Sequence, residues 1–258
     1  MKTMFVDFYK KHGISPVKQD VAEMPVHFER RSELYRLLGI APITVNRKSV
    51  IEFGAGSGHN ALYTLHLEPE KYTFVDGNPL GLQETKANLS AHNEHNIPLS
   101  FHESLFENFS LDEQFDLVLC EGWIPFQIDP EKILRQVSRF VKHGGIIVIT
   151  TACDISCLAE TLRKIYGLLV APPSLPTEKR VKLLSPEIDL HLSTLAGRSR
   201  PTEDWVWDWI QPVIGESFSF AQAISTLKNS FKFLGSSPSF VNEWRWYKQI
   251  SLGGGISK

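Results

Sequence analysis

The sequence predicts an α/β protein with a doubly wound, mostly parallel sheet of seven strands. Between residues 49 and 150, five short β-rich runs alternate with helical patterns, and this alternation is typical of parallel strands joined by helices. Such crossovers are right-handed, which favours a doubly wound topology. Two more β-rich runs near the C-terminus are spaced for a hairpin, so the last strand is expected to run antiparallel at the sheet edge.

The bulk composition excludes several classes of protein. A chain of 258 residues with 42% hydrophobic and 22% charged residues suits one α/β domain with additions. The formal net charge of -2 supplies no basic field, so no nucleic-acid partner is expected. Three cysteines without nearby ligands predict neither a disulfide framework nor a metal site. Because no apolar run suits a membrane span or a secretion signal, we expect a cytoplasmic protein without a membrane partner.

The elements are predicted in order from the N-terminus. Residues 1–48 are expected to form a helical extension, in which apolar residues between 26 and 38 have helical spacing until Gly39 and Pro42. Residues 49–258 are expected to form the main domain. Its first five strands are expected at residues 49–53, 72–76, 99–101, 115–120 and 146–150, with helices at about 58–67, from 79, and at 130–141. Gly144 and Gly145 are expected to end the last of these helices, and the apolar fifth strand is expected to be buried on both faces.

The C-terminal half departs from this pattern. After a predicted helix over residues 153–170, prolines between 171 and 176 exclude regular helix and central strand. Residues 171–217 are therefore expected to form an inserted, lid-like region, whose tryptophans between 205 and 209 provide either core or a stacking surface for an acceptor. Arg198 and Arg200 can clamp a phosphate or carboxylate there. A helix at about 220–230 and hairpin strands at 231–234 and 244–247 complete the prediction.

The loop after the first strand carries most of the functional information. Gly54, Gly56 and Gly58 permit positive φ and close approach of a ligand, at which the next helix directs free N–H groups. The third glycine comes one residue too early for the dinucleotide pattern, where His59 stands instead. Glu52 at the strand tip would repel a pyrophosphate and attract an ammonium group. S-adenosylmethionine fits these requirements, because it carries an ammonium group and a sulfonium but no phosphate.

Asp76 ends the second predicted strand, 22 residues after Gly54. An acid at the tip of the neighbouring strand can accept hydrogen bonds from both hydroxyls of a ribose. Asp76 therefore predicts an adenosyl ligand, without deciding between a dinucleotide and S-adenosylmethionine. Its alternative role is that of a helix cap before Pro79.

Four segments together resemble the motifs of class I, Rossmann-like methyltransferases that use S-adenosylmethionine. Residues 50–58 are similar to the glycine-rich motif, 74–76 to the second-strand acid, 115–121 to the fourth-strand motif, and 141–149 to the glycine turn with the fifth strand. The resemblance implies an adenine site at residues 101–106, where Ser104 or Glu103 stands in place of the family's Asp. It implies cofactor contacts at Glu52, Gly54, Ala55, Gly56, Gly58, Asp76, Gly77, Asn78, Ser104, Leu105 and Glu121.

The fourth strand ends where the reactive methyl group is expected. Methyl transfer needs an acceptor held in line, and a hydroxyl acceptor must also lose a proton. Glu121 at that strand end and His191 in the inserted region are the candidate catalytic bases. The alternatives are a ligand contact without catalytic duty for Glu121 and a surface or packing position for His191. The family's Asn/Asp-Pro-Pro-aromatic sequence for planar amine substrates does not occur here.

The expected function is methylation of a small molecule, on oxygen rather than nitrogen, with a sugar-like metabolite as acceptor. Two alternatives stay open. A non-catalytic partner subunit that binds S-adenosylmethionine would share the glycine-rich loop. An NAD-dependent oxidoreductase would share the glycines and Asp76, but Glu52 and the glycine spacing disfavour it.

Overall fold

A computed structural model describes residues 4–15, 18–19, 21–125, 127–155, 157–195, 198, 200–210 and 217–239 of the chain. The strands in these ranges are β1 (Ser49–Phe53), β2 (Lys71–Asp76), β3 (Leu99–Glu103), β4 (Phe115–Cys120) and β5 (Val141–Ile149). The α-helices are α1 (Met4–His12), α2 (Met24–Leu37), α3 (Ala61–His66), α4 (Pro79–Ala91), α5 (Pro130–Ser138), α6 (Leu158–Val170), α7 (Thr177–Leu192), α8 (Thr202–Ile210) and α9 (Phe220–Leu227).

The strands form one parallel sheet in the order β3-β2-β1-β4-β5. β1 is the central strand, and every one of its residues is buried. The chain passes outward from β1 to β3 and then returns to place β4 on the other side of β1. Ligands of such sheets bind at the carboxyl ends of the strands beside this reversal. The loops that follow β1, β2 and β4 are therefore the expected location of a site.

Alternate residues of β1 face two hydrophobic clusters, one on each side of the sheet. Val50 belongs to the cluster that contains Tyr35 of α2 and Leu89 of α4. Ile51 belongs to the cluster that contains Leu134 of α5. Because side chains alternate across a strand, a continuous apolar run suits a central strand with helices on both faces. The predicted α/β fold with a parallel sheet is confirmed.

The sheet differs from the predicted seven strands. Residues 231–234 form no strand, and residues 244–247 lie outside the described part of the chain. Among the described residues, the sheet has five parallel strands and no antiparallel last strand. The predicted seven-stranded sheet is therefore not supported there. Phe231 instead packs against the α5 cluster, and Leu234 lies against Gly39 after α2. Aromatic and apolar residues occur both in strands and in irregular segments that pack against helices. The composition of residues 231–234 therefore does not distinguish the two.

β5 differs from its prediction in length and in burial. The strand begins at Val141 and continues through Gly144 and Gly145, whereas α5 ends at Ser138. Irregular pairing with β4 between Val141 and Ile146 accommodates the two glycines. Most of β5 is only partly buried, so the expectation of burial on both faces was wrong. The physical reason is its place at the edge of the described sheet, where no strand covers its outer side.

The inserted region is helical and contacts the N-terminal extension. α7 and α8 share a small core that includes Val206 and Trp209. Trp207 of α8 lies against α1, with its ring centroid 6.2 Å from that of Phe8 and 5.1 Å from that of His12. The tryptophan-rich segment therefore serves as packing surface for two parts of the chain. The boundaries predicted at residues 48, 171 and 217 stay predictions.

Candidate functional site

The loop between β1 and α3 has a backbone conformation that favours glycine at three positions. Gly54, Gly56 and Gly58 have φ angles of +77°, +60° and +79°, in the region where a side chain is strained. Side chains of α4 hold this loop: Thr85 donates to the Gly56 carbonyl at 2.9 Å, and Asn88 donates to the next carbonyl at 2.8 Å. The protein itself therefore sets the shape of the loop.

Gly54→Ala is expected to lower the free energy of unfolding by about 2 kcal/mol, as measured by urea denaturation. The new Cβ atom would lie 2.7 Å from Cδ1 of Trp123 on a backbone with a φ of +77°. Gly144→Ala is the matched control, because its φ is +79° and nothing lies within 4 Å of the new Cβ. Equal losses in the two variants would contradict a contribution from the Trp123 contact.

The Asp76 carboxylate connects the end of β2 to the glycine loop. Its Oδ2 accepts a hydrogen bond from the Gly56 N–H at 3.3 Å, and its Oδ1 accepts one from the Asn78 N–H at 2.8 Å. Burial raises the pKa of Asp76 to about 6, although these N–H groups favour the charged form. Asn78 is the N-cap of α4 and accepts from the Leu80 N–H. The helix-cap role considered for Asp76 is thus filled by Asn78.

Glu52 places a buried carboxyl group immediately before the glycine loop. The residue is 4% exposed, and the Tyr72 hydroxyl donates to its Oε2. Burial raises the pKa of Glu52 to about 7, and the charge of Glu121 acts in the same direction. A cation beside Glu52 would favour the ionised carboxylate. The position suits the ammonium group that the sequence predicted.

Arg31 of α2 forms a bidentate ion pair with Glu121, the residue after β4. Its Nη1 and Nη2 atoms donate to the two carboxylate oxygens at 2.8 and 2.7 Å. Arg31 is 7% exposed, its Nε has no described hydrogen-bond partner, and its guanidinium lies 5.3 Å from the Tyr35 ring centroid. Both oxygens of the Glu121 carboxylate are thus oriented by one guanidinium. This fixed orientation suits a residue that holds a ligand group.

Two aromatic residues from different loops pack over Gly54. Trp123 follows β4, and its indole N–H donates to the carbonyl of Phe53. Phe106 follows β3, and its ring centroid lies 4.0 Å from that of Trp123. This pair covers the carboxyl end of β1 and forms an apolar wall of the site. Phe106 belongs to the predicted adenine segment 101–106, and the sequence did not indicate its contact with Trp123.

The predicted adenine contacts lie beside the predicted ribose contact. The Ser104 N–H donates to the Asp76 carbonyl at 3.0 Å. Leu105 lies against Gly77, where an added Cβ would be 3.1 Å from its Cδ2. Parallel pairing of β2 with β3 brings these loops together, because both strands end at the same edge. Glu103, the other adenine candidate, forms an ion pair with a lysine of α1.

The N-terminal extension covers this edge of the sheet, which the sequence did not indicate. The side-chain amide of Asn78 donates to the Ile14 carbonyl at 3.1 Å. Val6 of α1 lies 3.1 Å from the Cβ position of Gly77. These contacts are between residues more than 60 positions apart, so no local pattern predicts them. α1 and the segment after it therefore form a wall of the site.

His191, the second predicted base, has contacts elsewhere. It lies on α7, and its Nε2 accepts from the guanidinium of Arg163 on α6, at 3.0 Å from Nη2. No described contact links it to the glycine loop or to Glu121. The described residues contain no group of three or more His, Cys, Asp or Glu side chains that could hold a metal ion. Among the helices of that part of the chain, none is long and apolar enough to cross a membrane.

Known proteins share parts of this sequence and this fold. Residues 51–149 match a family model described as a methyltransferase domain. An arsenite methyltransferase of Aquipseudomonas alcaligenes is 25% identical over 158 residues, which are 55% of this chain and 44% of that protein. The chain thus spans less than half the length of this curated relative.

Two solved methyltransferases resemble the chain in structure. The magnesium protoporphyrin IX methyltransferase of Synechocystis PCC 6803, with bound S-adenosylhomocysteine, has a TM-score of 0.56 at 12% identity, over 88% of this chain and 87% of that one. The N-methyltransferase NodS of Bradyrhizobium japonicum WM9 has a TM-score of 0.47 at 18% identity, over 62% of this chain and 84% of that one. At these identities the first likeness concerns the fold alone.

The residues matched by the family model extend from β1 to β5. They include the glycine loop, Asp76 and Glu121, which the structure brings to one edge of the sheet. This match and this fold agree with the resemblance to class I, Rossmann-like, S-adenosylmethionine-dependent methyltransferases that the sequence motifs indicated.

Proposed function

We propose that the protein binds S-adenosylmethionine at the carboxyl ends of β1 and β2 and transfers its methyl group to a small molecule. The observation that carries this proposal is the buried Glu52 carboxyl group directly before the glycine loop. A carboxylate in that position repels a pyrophosphate and attracts an ammonium group. The match of residues 51–149 to a methyltransferase domain supports the same cofactor.

The proposed cofactor contacts follow the geometry of the loops. Glu52 attracts the ammonium group, and Asp76 accepts hydrogen bonds from the ribose hydroxyls. The backbone of the glycine loop approaches the ligand closely, since its glycines carry no side chains. Ser104 and Leu105 border the adenine. The full proposed set is Glu52, Gly54, Ala55, Gly56, Gly58, Asp76, Gly77, Asn78, Ser104, Leu105 and Glu121.

The chain's own residues have a limited chemical task in this reaction. The sulfonium of the cofactor supplies an activated methyl group, so the protein must hold the acceptor in line and let its proton leave. Glu121, oriented by Arg31, is proposed to anchor the acceptor hydroxyl or the cofactor ammonium group. That His191 acts as a base stays a prediction. Its described side-chain contact is with Arg163, away from the glycine loop.

The acceptor is proposed to be a sugar-like metabolite methylated on oxygen, in the cytoplasm. The names of two of the compared enzymes indicate different acceptors, arsenite and magnesium protoporphyrin IX, so neither acceptor is assigned to this chain. The residues after β4 differ from the sequence typical of enzymes that methylate planar amines. This difference supports oxygen over nitrogen.

Calorimetry against three ligands tests the cofactor. We expect S-adenosylmethionine and S-adenosylhomocysteine to bind and NAD to release no heat of binding. Tight NAD binding without a response to S-adenosylmethionine would establish the oxidoreductase instead. Formation of S-adenosylhomocysteine across a panel of sugars and other hydroxylated metabolites then tests turnover. Cofactor binding without turnover on any acceptor would support a non-catalytic partner subunit.

Asp76→Asn is expected to weaken S-adenosylhomocysteine binding about tenfold or more, because hydrogen bonds to a charged group are worth about 1.5–3 kcal/mol. The asparagine keeps one oxygen that can accept from the Asn78 N–H. Alanine would leave two N–H groups without their acceptor, so it tests folding as well as binding. Asp112→Asn, an exposed change before β4, is the control in calorimetry. An unchanged dissociation constant in Asp76→Asn would remove Asp76 from the ribose site.

A further inference from the structure

A cleft of about 560 Å³ lies beside the glycine loop, between the N-terminal extension and the inserted region. Its volume is in the range of small-molecule sites, roughly 300–1,000 Å³. Three of its lining side chains are cationic and none is acidic. The lining residues are Lys18, Gln19, Val21, Ala22, His59, Arg198, Arg200 and Pro201.

Carboxylates behind the cleft orient its two arginines. Arg198 donates from Nη1 to Asp189 at 2.8 Å, and Arg200 donates from Nη1 to Asp208 at 3.1 Å. Arg198 also donates from Nε to the Arg200 carbonyl at 3.2 Å, which couples the two residues. A guanidinium has five N–H donors, and the described contacts of Arg198 use three of them. Arg198 is thus held in place with donors to spare for a ligand.

The cleft shares a wall with the proposed cofactor site. Nδ1 of His59 lies 2.5 Å from the Ser57 hydroxyl oxygen in the glycine loop. The His59 carbonyl oxygen lies 2.9 Å from Nε2 of His27 on α2. One helical turn further along α2, Arg31 contacts Glu121 at the end of β4. A molecule in the cleft is therefore adjacent to the cofactor loop and is contacted by the inserted region.

We propose that this cleft binds the methyl acceptor through an anionic group, a phosphate or a carboxylate, held by Arg198, Arg200 and Lys18. The assignment to the acceptor rests on the proposed methyltransferase function, whereas anion binding can be measured without it. Guanidinium groups bind the paired oxygens of either anion in a fixed geometry. The carboxylate partner of Lys18, Glu84, lies at 3.4 Å and does not line the cleft. An uncharged sugar would offer the spare donors of Arg198 no charged acceptor.

Titrations at constant ionic strength test the anion site, with inorganic pyrophosphate, glucuronate and glucose as probes. We expect pyrophosphate or glucuronate to bind the wild-type protein, and glucose not to bind. Pyrophosphate binding alone identifies a phosphate site, and glucuronate binding alone identifies a carboxylate site. Failure of both anions, or equal binding of glucose, would overturn the proposal.

Two variants locate the bound anion. Arg198→Gln and Lys18→Gln change exposed or half-exposed residues, and each is expected to weaken anion binding about tenfold, the effect of a charge-assisted hydrogen bond. Arg36→Gln is the matched control, because Arg36 also pairs with a carboxylate but lies outside the cleft. Unchanged anion binding in both cleft variants would overturn the proposal.

A parallel titration with S-adenosylhomocysteine separates the two proposals. Its affinity is expected to be the same in Arg198→Gln as in the wild type. If the wild-type protein binds the anion through Arg198 but does not bind S-adenosylhomocysteine, the anion site stands and the proposed methyltransferase function fails. If the wild-type protein binds S-adenosylhomocysteine but neither anion, the reverse holds.

Discussion

Glu121→Gln is expected to lower the free energy of unfolding by about 3 kcal/mol, because it leaves the buried guanidinium of Arg31 without its charged partner. Arg31 is 7% exposed, and both of its Nη atoms donate to Glu121. Water cannot readily replace the lost carboxylate at such a position. Arg31→Met is expected to cost less, since the Glu121 side chain is 19% exposed and can be hydrated.

Urea denaturation of the two single variants and the double variant measures this coupling. The double variant Arg31→Met/Glu121→Gln is expected to be more stable than Glu121→Gln alone, because it carries no unpaired buried charge. The control is Glu33→Gln, which breaks an exposed pair with Arg36 on the same helix and should change stability little, because water screens that pair. Equal losses in Glu33→Gln and Glu121→Gln would contradict a buried ion pair.

The same Glu121→Gln variant tests the site. We expect slower methyl transfer with cofactor affinity largely retained, because the cofactor has other contacts while the acceptor loses its anchor. The relevant comparison is the maximal rate against the dissociation constant of S-adenosylhomocysteine, both measured where the variant is fully folded. If Glu121→Gln transfers the methyl group to the identified acceptor at the wild-type rate, Glu121 is not a catalytic residue.

Glu52→Gln is expected to stabilise the protein by about 3 kcal/mol above pH 7 and to weaken cofactor binding. Burial raises the pKa of Glu52 from its ordinary 4.5 to about 7, and a tenfold difference in proton affinity between the folded and unfolded states corresponds to about 1.4 kcal/mol. The folded state therefore binds the Glu52 proton more tightly than the unfolded state does. The protonated group is tolerated at low pH, and stability is lost as the pH rises from about 4.5 to 7. Glutamine avoids this loss because it is neutral at every pH.

Thermal or urea unfolding of both proteins between pH 4 and 8 checks this result. The stability difference should be small near pH 4, grow with pH, and level off above about pH 7. Glu131→Gln, whose side chain is 47% exposed, is the control and should show no such gain. A difference that does not vary with pH would show that the Glu52 carboxyl group is not held in its neutral form.

Cofactor affinity should follow the opposite trend. In the wild type, an ammonium group beside Glu52 requires the ionised carboxylate, so affinity for S-adenosylhomocysteine should fall as the pH drops below about 7. In Glu52→Gln this dependence should vanish, and the affinity should be about tenfold lower at pH 8. The ionised Glu52 would thus lower the stability of the protein while it strengthens ligand binding, a combination that is common at functional sites.

Most of the parallel sheet was predictable because its strands have local signatures. β1 is apolar except at Ser49 and Glu52 and stops at glycines, which is the pattern of a central strand. The second half of β5, residues 146–149, is also apolar, yet the strand lies at the edge of the described sheet. Residues 231–234 also have a strand-like composition, yet they pack without pairing. Composition reports a tendency to be buried, and only the neighbours in space determine what covers a segment.

The sequence by itself determined the glycine loop, Glu52 and Asp76, because these features follow from backbone demands and from the shared edge of parallel strands. Their spacing along the chain is sufficient to predict that they lie close together in the fold. The ion pair between Arg31 and Glu121, and the cover that α1 forms over the strand ends, were decided only by the tertiary structure. Those contacts join residues about 60 to 90 positions apart, where no periodicity links one side chain to the other.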